Sequence, residues 1–149
     1  MTQKYSKRRI AEVQIFRAIK VLTENADAIS AITLAGAADE ILGQKLRDAG
    51  RRNAFDHEVE FGKQMWTLAA EKLKKDGRTI TIPDEAALKK GVNRARNELK
   101  HKGENRPLVA IFSYEAEVMI VRALNNYVYL YGRPPPQKYV QAWYESQTL

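Results

Sequence analysis

Apolar residues recur along most of the chain at intervals of three and four positions, the spacing that places side chains on one face of an α-helix. Capping residues before these runs, and glycine after several of them, mark where the helices begin and end. Five helical segments are predicted in this way: residues 6–23, a segment capped by Asn25 or Asp27 that ends at Gly50, residues 55–75, residues 83–102, and a last segment from Ser113 to Gly132.

The third segment combines aromatic and methionine residues on adjacent lines of the helix. Phe61, Met65 and Leu68 lie beside a line that contains Val59 and Trp66. Such a stripe is far more often core than a cofactor site, so we predict that it is buried. The following residues, 79–82, alternate like a strand, but an isolated strand has no pairing partner. We interpret them as a connection whose isoleucines pack beneath the helices.

Together these segments predict an all-α fold, an antiparallel helical bundle of four main helices with a short C-terminal extension. The bundle domain is placed at residues 1–132, because Gly132 and the three prolines at positions 134–136 end the last helix. Residues 133–149 are predicted to form a proline-rich tail. Its aromatic residues favour a short docking helix: Tyr139, Trp143 and Tyr144.

Composition excludes several classes of protein and site. The 149 residues include no cysteine, which excludes disulfides and thiolate metal sites and fits a reducing compartment. No apolar run approaches the roughly 20 residues of a membrane span, and the basic N-terminus leads into an amphipathic segment rather than a secretory signal. We therefore expect a cytoplasmic protein without a membrane segment. No cofactor is expected.

Metal binding is not predicted either. Asp56, His57 and Glu58 are candidate ligands, but adjacent residues of a helix point about 100° apart and cannot chelate one ion together.

The net charge of +7 is concentrated in two places. Residues 89–106 hold seven lysines and arginines against two glutamates, and the first nine residues hold four basic residues and no acid. A polyanion, RNA above all, is the partner that such a distribution favours. The alternative is that these helix faces are merely solvated.

Candidate chemistry lies inside the larger basic block, at residues 96–101 (Arg-Asn-Glu-Leu-Lys-His). Histidine is the side chain whose ordinary pKa allows proton transfer near neutral pH. The planar guanidinium of arginine suits the oxygens of a phosphate. Because the chain has only two histidines, His57 and His101, the pairing of Arg96 with His101 has little competition. A phosphodiester is the substrate that this pair suggests first.

The same residues carry a resemblance to a known family. Arg96, Asn97, three further residues and His101 resemble the signature of HEPN domains, an arginine followed after four to six residues by histidine, often with Asn, Asp or His directly after the arginine. Residues 31–43 are similar to the second helix of bacterial members, and residues 115–117 and 122–127 to their last helix. The resemblance spans roughly residues 25–131.

The resemblance implies a metal-independent endoribonuclease, for example a toxin or defence effector. His101 would act as general acid or base, Arg96 would stabilise charge on the phosphoryl oxygens, and Asn97 would orient His101 or contact the phosphate. RNA-backbone contacts would come from nearby cations: Arg94, Lys100 and Lys102. The implied partners are RNA, a second copy of the chain, and an antitoxin or a nucleotidyltransferase.

Helix geometry leaves the choice of arginine open. On one straight helix Arg94 lies within about 20° of His101, whereas Arg96 lies about 140° away. The family motif favours Arg96, because Asn97 follows it directly. A homodimer with a twofold axis near residues 94–101 would reconcile the two by pooling side chains from both copies.

Other interpretations remain open. Arg96 is a structural residue if it pairs with a buried acid such as Glu40, with His101 then at the surface. In that case the chain is a catalytically silent helical module that binds RNA or a partner protein. A basic DNA-binding protein is a third possibility, although no helix-turn-helix is recognisable.

Overall fold

The computed structural model describes residues 2–100 and 111–147 of the chain. Within these residues the regular structure is entirely α-helical, so the predicted all-α class is confirmed. The helices are α1 (Lys7–Asn25), α2 (Ala28–Asp48), α3 (Ala54–Lys75), α4 (Glu85–Val92), α5 (Arg94–Lys100), α6 (Ser113–Tyr131) and α7 (Lys138–Gln147). None of the helices in this part of the chain is long and apolar enough to cross a membrane.

Local hydrogen bonds explain where the long helices begin. The side chain of Ser6 accepts from the Arg9 amide before α1, and that of Asp27 accepts from the Ser30 amide before α2. At α3, Asn53 and Asp56 form a reciprocal capping box. Each cap satisfies an amide that has no partner within its helix. The predicted helix starts therefore agree with the structure to within a few residues.

The predicted fourth segment is two helices rather than one. Asn93 interrupts it between α4 and α5, and the Asn93 side chain accepts a hydrogen bond of 2.8 Å from Nη2 of Arg122. The two halves also pack on different neighbours, α4 on α3 and α5 on α2. A single straight helix would not reach both, so the prediction of one helix through this segment is wrong.

The main hydrophobic core lies where α1, α2 and α6 pack together. Its fully buried large residues include Ile15, Ile32 and Leu124. Ala95 of α5 and Val140 of α7 join the same cluster. The segment after Gly132 therefore packs as part of the core, with α7 against α1 and α6.

The predicted burial of the aromatic and methionine residues of α3 is wrong, whereas that of Val59 is confirmed. Only Ala54 and Val59 of α3 are buried, while Phe61, Met65 and Leu68 are exposed. The short helix α4 covers one side of α3, with Leu88 packed close to Gly62, and leaves the opposite side open. The predicted packing of both isoleucines of residues 79–82 is also wrong, because Ile82 is exposed.

Candidate functional site

Helix α5 carries most of the predicted site. Arg94, Arg96, Asn97 and Lys100 all lie on it, directly after the interruption at Asn93. The predicted residues His101 and Lys102 lie outside the described residues.

The side chain of Arg96 lies across α2 above Gly36. A Cβ atom at Gly36 would be 3.0 Å from Nε of Arg96, so any other residue there would require the arginine to shift by a few tenths of an ångström. Nη2 of Arg96 donates to Oε2 of Glu40 at 2.5 Å, and Nη1 lies 3.9 Å from Oδ2 of Asp39. Two carboxylates of α2 therefore hold the guanidinium of Arg96, whose side chain is only 15% exposed.

Glu40 is the partner that the structural interpretation of Arg96 named, and the ion pair is present. The expected burial of Glu40 is wrong, because its side chain is 67% exposed. Lys100 adds a weaker contact, with Nζ 3.7 Å from the same carboxylate oxygen. The buried acid next to Arg96 is Asp39 instead.

Arg94 pairs with α6 rather than with α2. Its Nη2 donates to Oε1 of Glu115 on α6 at 2.5 Å. The other carboxylate oxygen of Glu115 accepts from the Phe112 amide at the start of α6. Arg94 therefore pairs with α6 and Arg96 with α2, although both residues line the recess between α5 and α6.

A buried charged network lies behind Arg96. Arg122 is 1% exposed and contacts two carboxylates, Oδ2 of Asp39 at 3.3 Å and Oε2 of Glu58 at 3.4 Å. Asp39 also accepts from Nδ2 of Asn126 at 2.8 Å. Asp39 therefore connects the exposed end of the site, at Arg96, to the protein interior.

Burial dominates the electrostatics of this network. It raises the pKa of Asp39, against the opposing effects of Arg122 and Arg96. It likewise raises the pKa of Glu58, against the effect of Arg122. When the pKa of a carboxyl group is higher in the folded than in the unfolded chain, the free energy of unfolding falls as the pH rises from the unfolded-state pKa to the folded-state pKa. Arg122 is the cation that limits this cost for both acids.

Within the part of the chain that the structure describes, Arg96 contributes to the lining of three recesses. One, of about 300 Å³, lies between α5 and α6 and is lined mainly by apolar atoms, including those of Val92, Val118 and Tyr114. A second, of about 230 Å³, lies between α2 and α5 and is also mainly apolar. The third, of about 270 Å³, is polar and lies beside α2, with Arg47 and Lys100 in its lining. A ligand in any of the three would lie close to Arg96.

An exposed aromatic pair, Phe112 and Tyr114, adjoins the recess between α5 and α6 through Tyr114. The rings of Phe112 and Tyr114 are stacked, with centroids 5.9 Å apart and an interplanar angle of 18°. Both side chains are exposed, and Tyr114 lines the recess together with Arg94. Exposed aromatic faces beside cations are typical of surfaces on which unpaired bases stack.

Asp39, Arg122 and Asn126 were not predicted as site residues. The missed signal is periodicity, because Asp39 falls between Ala35 and Leu42 on the apolar line of α2. Arg122 lies in the same way on the buried face of α6. A charged residue on such a line indicates a buried ion pair.

Comparisons with known proteins add no assignment: no protein-family model matches the chain, and no curated protein or solved structure matches it. Among the residues that the structure describes, no group of three or more histidine and acidic side chains is placed to hold a metal ion. His57 is exposed and packs edge-on against Tyr129.

Proposed function

We propose that this protein is a metal-independent endoribonuclease of the HEPN type, acting in the cytoplasm as a toxin or defence effector. The observation that carries the proposal is the position of Arg96. Its guanidinium is held by Asp39 and Glu40, the residue lines the three recesses, and α5 ends at Lys100, one position before His101 in the sequence. An arginine held in advance on a rigid helix is suited to stabilising charge that develops on a phosphate.

The reaction divides between the two side chains. His101 takes the proton of the ribose 2′-hydroxyl or gives a proton to the departing 5′-oxygen, and water makes the other transfer. The 2′-oxygen forms a bond to phosphorus as the bond to the 5′-oxygen breaks, which leaves a 2′,3′-cyclic phosphate and a 5′-hydroxyl. Arg96 stabilises the pentavalent phosphorane, and Asn97 orients His101 or contacts the phosphate.

Arg96 reaches the phosphate by exchanging one partner. Glu40 is largely exposed, so solvent screens its contact with Arg96 and an incoming anion can replace it. The phosphodiester of RNA is a monoanion whose two non-bridging oxygens suit the planar fork of arginine, and its charge increases only in the transition state. Asp39 stays in place during the exchange, because Arg122 and Asn126 hold it from the interior.

Incubation of the purified protein with RNA, and with DNA of the same sequence, tests this activity. We expect cleavage of RNA only, because DNA lacks the attacking hydroxyl. Cleavage should persist in EDTA and leave 2′,3′-cyclic phosphate ends, detectable by mass spectrometry. Intact RNA after prolonged incubation, or activity abolished by EDTA, would contradict the proposal.

A second candidate is a catalytically silent module of the same fold that binds RNA or a partner protein such as a nucleotidyltransferase. The observation that favours it is the engagement of Arg96 with both Asp39 and Glu40, which is also what a purely structural arginine shows. In this case the basic block holds RNA, and His101 has no chemical role.

RNA affinity is expected to fall steeply with salt under either candidate, because lysines and arginines displace condensed counterions. Replacing Lys100 and Lys102 by alanine should weaken binding and flatten the plot of log affinity against log salt by about 0.7 for each lysine. Filter binding or fluorescence anisotropy measures this, with Lys138→Ala on α7 as the control. An affinity that does not change between low and high salt would show that the basic block is a solvated surface.

A further inference from the structure

The exposed side of α3 carries a contiguous apolar surface. Phe61, Met65 and Leu68 are 63%, 49% and 59% exposed, and their spacing places them on one face of the helix. Single exposed apolar residues are ordinary, but a continuous stripe of large ones indicates an interface. We call these three residues the α3 stripe.

The charges of α3 identify the partner. Residues 54–64 hold three acidic residues and one lysine, and because Glu58 is paired with the buried Arg122 the other three charges sum to −1. Residues 65–75 hold one acidic residue and three lysines, a net charge of +2. A second α3 running antiparallel would place each acidic half against a basic half. A parallel arrangement would place like charges together, which is unfavourable.

The geometry of the stripe agrees with this arrangement. Phe61 and Leu68 lie at equal distances from the middle of α3, which spans Ala54–Lys75. If a twofold axis passes through the middle of α3, the two helices overlap along their whole length of about 33 Å and their α3 stripes come together. The same surface then serves both copies.

We propose that two copies of this chain associate through α3, as an antiparallel helix pair about a twofold axis near Met65. The interface buries the α3 stripe of each copy and pairs their oppositely charged ends. This axis differs from the one near residues 94–101 that the motif geometry suggested, and the proposal does not depend on ribonuclease activity.

Light scattering over a range of protein concentrations tests the association. We expect a dimer for the unmodified chain and a dissociation constant raised on the order of 100-fold by Leu68→Glu, which places a charge in the apolar contact of both copies. Ile29→Glu is the matched control, because Ile29 is an apolar residue of α2 with 58% exposure, and it should leave the dimer unchanged. A monomer at all micromolar concentrations, or a dimer unaffected by Leu68→Glu, would overturn the proposal.

Single-cysteine variants test the orientation, and the absence of natural cysteine makes the result unambiguous. Met65→Cys should form an intermolecular disulfide under mild oxidation. Lys75→Cys should not, because the two copies of that position would lie about 30 Å apart, well beyond the reach of a disulfide. Equal crosslinking at both positions would indicate a parallel pair, and no crosslinking at Met65→Cys would place the interface elsewhere. Either result would overturn the proposal.

Discussion

Replacing either Arg96 or His101 by alanine is expected to reduce the rate of RNA cleavage by a factor on the order of 100 or more. The physical reason differs for the two residues. Loss of His101 removes the group that transfers protons, and loss of Arg96 removes the cation that stabilises the phosphoryl oxygens. Single-turnover kinetics with a short RNA, at saturating enzyme, measures the chemical step apart from binding.

Stability measurements separate a catalytic from a structural Arg96. Arg96→Lys keeps the positive charge but loses the planar fork, so it should retain most of the melting temperature and still cleave poorly. Gly36→Ala retains Arg96 but adds a methyl group 3.0 Å from its Nε, so the guanidinium should shift by a few tenths of an ångström and the rate should fall without the removal of any charge. A large loss of stability in Arg96→Ala, with no cleavage by the unmodified protein, would instead favour the silent binding module.

Arg122→Ala is expected to cause the largest loss of folding stability, about 3–5 kcal/mol, because it leaves buried acids without their cation. Asp39 would keep only Arg96 within ion-pair distance, and Glu58 has no other ion pair within the described residues. Denaturation by urea measures the loss, with Arg133→Ala as the exposed control, for which a change within about 0.5 kcal/mol is expected.

The pH dependence of this loss identifies its cause. Burial already raises the pKa of Asp39 and Glu58, and removing Arg122 should raise both pKa values further. The folded variant then holds protons that the unfolded chain releases, so its stability should fall more steeply than that of the unmodified protein as the pH rises above the ordinary carboxyl range. The difference in stability should therefore narrow in acid. A loss independent of pH would show that Arg122 acts through packing alone, and a loss below about 1 kcal/mol would contradict the prediction.

Which groups occupy the site could be predicted only in part. The motif led to Arg96, the residue whose side chain crosses α2 at Gly36. Asp39 was not found, because its partners Arg122 and Asn126 are 83 and 87 positions away and no local pattern relates them. Sequence spacing also could not predict the acidic partners of Arg94 and Arg96, because these partners depend on which helices lie on either side of α5.

The sequence by itself determined the all-α class and the starts of the long helices, because periodicity and capping act between residues three or four positions apart. Only the tertiary structure decided which helix faces are covered. The same periodicity that correctly predicted burial for α2 failed for α3, whose outer face meets no other helix among the described residues. The break at Asn93 was likewise decided by the tertiary structure. It goes with the hydrogen bond that Asn93 accepts from Arg122 and with the packing of α4 on α3 and of α5 on α2. A hydrophobic pattern predicts that one face of a helix is buried. Which surface buries that face depends on how the other helices, or a second copy of the chain, are arranged around it.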